Sequence, residues 1–129
     1  MLALTLVLTT IQGVIGGPLA GGVGGGFQIA SSASFSAVLS AILGSSGLLI
    51  FHAFEGLAIF LLAIAVAGTS FRYGGRGVRV FGVLSLIAAL VAIVGGYIHI
   101  GGSPAGGPIM GEAFIATYAF LFMTLYYTK

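Results

Sequence analysis

Between Val80 and Ile100 the chain contains no Asp, Glu, Lys or Arg. A helix needs about 20 such residues to cross the hydrocarbon core of a bilayer. Two further apolar stretches, Leu48–Gly68 and Pro108–Tyr127, each admit one acidic residue, Glu55 and Glu112, and the opening stretch from Leu2 to Pro18 admits none. Only 5% of the chain is charged, against roughly 25% in a soluble domain. Too few charges exist to cover a water-facing surface, so the chain belongs in lipid. Its length of 129 residues allows one domain. Four basic residues cannot make a nucleic-acid footprint, and with no cysteine, disulfides and thiolate metal sites are excluded.

The predicted architecture is all-α: an integral membrane four-helix bundle with spans over about 2–20, 48–68, 80–100 and 108–127. The first stretch reads as a span rather than a signal peptide, since no basic residue precedes it and no A-x-A site follows. Thr5, Thr9, Gln12 and Gly16 share one helical face of polar or small residues, which should point into the protein, with Gln12 bonding between helices. Glycines from Gly16 to Gly26 end this helix. Ser31, Ser32 and Ser34 offer caps for a short interfacial or re-entrant helix, Phe35–Leu43, which Gly44-Ser45-Ser46-Gly47 breaks. One overlong, kinked helix from Ser34 to Gly68 is the alternative.

In the second span His52, Glu55, Gly56, Ile59 and Ala63 fall on one face. In the third, Ser85, Ala88, Ala92, Gly95 and His99 make a seam of small residues ending in histidine. In the fourth, Glu112, Ala116, Ala119, Met123 and Tyr126 are expected to face inward. The loop Ser70–Arg79 holds Arg72, Arg76 and Arg79. The positive-inside rule therefore makes it cytoplasmic, together with the C-terminal Lys129, in the cell membrane of a prokaryote. A faint repeat pairs Gly16–Gly22 with Gly101–Gly107, and His52-Ala53-Phe54 with Glu112-Ala113-Phe114. Two hairpins related by an axis along the membrane normal would give it.

This topology brings both histidines and both glutamates of the chain, on three helices, to one depth near the outer leaflet. Ionisable residues inside a membrane are costly and mark function by default. One reading is a b-type haem with His52 and His99 as axial ligands and Glu55 or Glu112 as hydrogen-bond partners to the imidazoles. Propionates are its difficulty, because every Arg lies at the other end. A second reading is a non-haem metal held by two His and two Glu, or a quinone or proton site. A third is structural, with His and Glu pairing near helix ends.

Thr10-Ile11-Gln12-Gly13-Val14-Ile15-Gly16-Gly17 resembles the Q-G-x-x-G helix of the heme A synthases, and His52 with its following apolar run resembles their haem-binding helix. The likeness covers the first two spans. It implies a four-helix bundle with haem-binding histidines near the outer face. Here Glu55 follows His52 where the family has E-x-x-H-R, and Glu112 stands in the fourth span where a histidine is expected. Only His52 is carried over as a ligand. The expected function is a small subunit carrying electrons through haem b within or beside a respiratory complex, with quinol and other membrane subunits as partners. The alternatives are a cofactor-free structural or assembly subunit, including one of a membrane-like shell, and a haem-modifying enzyme.

Overall fold

The computed structural model describes residues 2–18 and 34–128. They form five helices: α1 (Leu2–Pro18), α2 (Phe35–Leu43), α3 (Gly47–Tyr73), α4 (Arg76–Ile100) and α5 (Gly106–Tyr127). Three of them, α3, α4 and α5, are long and apolar enough to cross a membrane. At 17 residues α1 is shorter, about 25 Å at 1.5 Å per residue. The end of the first predicted span, the glycine-rich stretch beyond Pro18 to Gly26, Ser31 and Ser32, the first copy of the repeat beyond Pro18, and Lys129 lie outside the described residues.

Helices α2 and α3 are separate, so a single kinked helix does not form. The cause is local. Ser34 Oγ accepts from the Ala37 amide at 3.3 Å and Ser46 Oγ from the Leu49 amide at 3.4 Å, each satisfying a backbone donor at a helix start. Of the apolar residues on α2 only Val38 is buried; Phe35 is 77% exposed.

The predicted loop Ser70–Arg79 contracts to Gly74 and Gly75, so the helices reach beyond the predicted second and third spans. Helix α3 continues through Tyr73 and α4 starts at Arg76. Ser70 Oγ closes on the Val66 carbonyl at 2.7 Å, so it does not compete with the helix. Arg79 Nε donates to the Gly74 carbonyl at 2.9 Å, and the Arg72 guanidinium sits 5.3 Å above the Tyr73 ring. Helix α3, about 40 Å long, exceeds a hydrocarbon core of about 30 Å, so its arginine end can project into the headgroups.

Helices α3 and α4 form an antiparallel hairpin in which Gly82 meets Ser70: a Cβ on Gly82 would stand 2.6 Å from Ser70 Oγ. Helix α5 returns antiparallel along α4. Its register is fixed at three levels: Gly77 against Tyr127, Gly95 against Met110, and Gly106 against the backbone of His99. Phe81 adds ring contacts at 5.4 Å to Tyr127 and 6.2 Å to Phe120. Between α4 and α5 Gly102 turns the chain at φ 84°, a conformation that favours glycine. Helix α1 packs on both α3 and α5.

The inward faces of α1 and α3 are those the spacing predicts. Thr5 and Thr9 are fully buried, and Glu55, Ile59 and Ala63 are buried on α3. On α4, Ser85, Ala88 and Gly95 are buried, while Ala92 and His99 are half-buried. The predicted face of α5 is wrong. Its buried residues are Gly106, Ala113, Thr117, Leu121 and Thr124, and Glu112, Ala119 and Tyr126 are exposed. Thr117 and Thr124 each close their hydroxyl on the carbonyl four residues back, at 2.8 Å. Self-satisfied in this way, they pack as small residues at a helix contact, and the carboxylate turns outward instead.

Candidate functional site at the α1–α3 contact

His52 lies in the second turn of α3, opposite the last turns of α1. A Cβ on Gly16 would stand 2.9 Å from His52 Cε1, so the absence of a side chain there gives the imidazole its place. One turn earlier on α1, Gln12 reaches across. Its Nε2 lies 3.2 Å from the His52 carbonyl oxygen and 3.4 Å from His52 Nε2. The carbonyl can only accept, which assigns the facing atom of Gln12 as its amide nitrogen. Gly56 completes the close approach, as a Cβ there would stand 3.2 Å from the same nitrogen. Next along α1, Gly13 receives the Phe114 ring of α5, 2.9 Å from where its Cβ would be.

Glu55 follows His52 by three residues, and side chains at that spacing are neighbours on a helix. It is only 6% exposed. Neither of its carboxyl oxygens finds a hydrogen-bond partner among the described residues, nor do Gln12 Oε1 and His52 Nδ1. Each such buried group costs about 1–3 kcal/mol. These four atoms on three side chains stand out where Thr9, Ser70, Ser85, Thr117 and Thr124 close their buried hydroxyls on their own backbone, and mark a place where polarity is kept for a reason other than packing.

The remaining predicted site residues are distributed differently. His99, in the last turn of α4, lies against the first turn of α5: a Cβ on Gly107 would stand 3.5 Å from its Nδ1. From the Ser70–Gly82 contact, His52 is 18 residues back (70 − 52) along α3 and His99 17 residues on (99 − 82) along α4, a rise of about 27 Å and about 26 Å along their own helices. The two imidazoles seat on different neighbours, His52 on α1 and His99 on α5. Glu112 is exposed. Among the described residues no three His, Asp or Glu side chains converge as a metal-holding group. Gln12 was legible as an interhelical donor from its place on the Thr5–Thr9–Gly16 face, but nothing in the spacing named His52 as its partner. Comparison of the chain with protein-family models, with curated proteins and with solved structures returns no match.

Proposed function

We propose that the chain is a non-catalytic subunit of a larger membrane assembly, to which it brings the buried polar cluster of Gln12, His52 and Glu55. The four helices α1, α3, α4 and α5 are read as a four-span bundle with the Arg72–Arg79 hairpin on the cytoplasmic side. In that orientation the cluster lies toward the opposite leaflet. The observation that carries this reading is the double contact of Gln12. Its amide holds both the carbonyl and the Nε2 of His52, so the lone pair that an axial ligand would offer to iron is already engaged within the protein. Exposed Phe51, Phe54, Ile87, Ile115 and Phe122 give lipid and neighbouring subunits apolar surface to cover.

The second reading keeps the haem. It is favoured by the similar distance of His52 and His99, each along its own helix, from the Ser70–Gly82 contact. These two imidazoles would hold a b-type haem, which supplies one-electron transfer when bound, beside a respiratory complex and its quinol. The donor types fit the group. Their seating fits less well, because Gln12 would have to release His52 Nε2 and His99 would have to leave the first turn of α5. Haem modification of the heme A synthase kind makes the same demand on His52. Acid extraction of the purified protein followed by chromatography tests all three. No stoichiometric haem is the expected result; one unmodified haem per chain establishes the carrier, and a hydroxylated or otherwise altered haem establishes the enzyme.

A further inference from the structure

The two contacts of Gln12 decide where the proton on His52 sits. One amide N–H of Gln12 is directed at the His52 carbonyl and the other at His52 Nε2. An imidazole nitrogen facing an N–H donor must present its lone pair, and a neutral imidazole that accepts at one nitrogen carries its hydrogen on the other. His52 is therefore the Nδ1–H tautomer. Gln12 is the positioning residue that selects it.

Among the described residues Nδ1–H is then a buried donor without a partner, with two unpartnered carboxyl oxygens three residues along the same helix, and Gln12 Oε1 as a further acceptor. A group that accepts one hydrogen bond and donates another matches this set. We propose that His52 and Glu55, with Gln12 positioning the imidazole, bind a hydroxyl group, its oxygen accepting from His52 Nδ1–H and its hydrogen donated to the Glu55 carboxyl. Inside an apolar span such a hydroxyl has two sources: water, or a hydroxylated molecule that dissolves in the bilayer, of the hydroquinone class. This goes beyond the subunit reading, though it rests on the same cluster as the working part.

Nitrogen NMR of the histidine-labelled protein in lipid bilayers tests it, with His99→Gln used to isolate the His52 signals from those of the only other histidine. Expected is a protonated Nδ1 and a bare Nε2. Gln12→Leu should let the Nε2–H tautomer appear. Should that variant fail to insert, Glu55→Leu serves instead: it leaves the Gln12 contacts and the tautomer in place but weakens the hydroxyl contact. Adding a short-chain benzohydroquinone should shift the Nδ1–H signal; the matching benzoquinone, whose carbonyl can accept from Nδ1–H but which has no O–H for Glu55, should do so only at about tenfold higher concentration. Loss of the Glu55 acceptor should weaken hydroquinone binding about tenfold, the equivalent of one hydrogen bond. A water contact at Nδ1–H that hydroquinone leaves unchanged assigns the hydroxyl to water. A proton on Nε2 in the unaltered site overturns the proposal, as does an Nδ1–H touching no hydroxyl, or a hydroxyl contact that Glu55→Leu leaves unweakened. Haem extraction decides the subunit reading; the position of this proton decides the present one, and either can fail alone.

Discussion

The amide nitrogen of Gln12 lies 3.2 Å from the carbonyl oxygen of His52 and 3.4 Å from its ring Nε2, joining α1 to α3. Gly16 and Gly56 make the contact possible by withholding side chains on both sides of it. Gln12→Leu should therefore loosen α1 from α3 at a cost of about 1 kcal/mol, in keeping with measured interhelical hydrogen bonds in membranes. Unfolding in mixed micelles checks the magnitude. Faster hydrogen exchange confined to α1 should accompany it.

Glu55 behaves in the opposite sense. Its carboxyl is buried with no partner among the described residues, so replacement by an apolar side chain of similar size removes a penalty rather than a bond. Glu55→Leu is expected to raise stability by about 1–3 kcal/mol in the same unfolding assay. A loss of stability would mean that the carboxyl has a partner in the folded protein, either a protein group or a bound hydroxyl.

The α4–α5 contact offers a matched pair of glycine substitutions. A Cβ on Gly106 would run into the backbone nitrogen of His99 and stand 2.5 Å from its Cα, neither of which can yield like a side-chain tip. Gly106→Ala should cost about 1–3 kcal/mol through overpacking. At Gly111, one turn further on, a Cβ would meet nothing within 4 Å. Gly111→Ala should be neutral or stabilising by up to about 1 kcal/mol, the helix propensity difference between the two residues. Thermal unfolding of the two variants in parallel checks the contrast.

How far these features could be read from the chain depended on the kind of order involved. The inward face of α3 was legible because His52, Glu55, Gly56, Ile59 and Ala63 leave one choice of stripe. The face of α5 was not, because Ala113, Thr117 and Thr124 form a second stripe of small, self-bonding residues beside that of Glu112, and periodicity cannot rank the two. The arginine hairpin looked like a ten-residue loop because its glycines and charges are loop residues by habit; in the fold they sit at helix ends, with only Gly74 and Gly75 between. The pairing of Gln12 with His52 depends on the rotation of α1 about its axis and its register against α3. Neither is encoded by spacing within one helix.

Sidedness can be measured directly, because the chain has no cysteine of its own. Arg76→Cys, at the start of α4, should react with a membrane-impermeant maleimide only from the cytoplasmic face. Ser103→Cys, between α4 and α5, should react only from the opposite face. Reversed labelling would place the polar cluster in the inner leaflet.

The subunit reading stands most directly on one spectrum: visible absorption of the dithionite-reduced protein, purified from cells supplied with excess haem. The expected result is a featureless visible region in fully membrane-inserted protein, unchanged by His52→Ala or His99→Ala. A sharp α band that disappears in both variants would contradict it and make these two histidines the axial ligands of a haem.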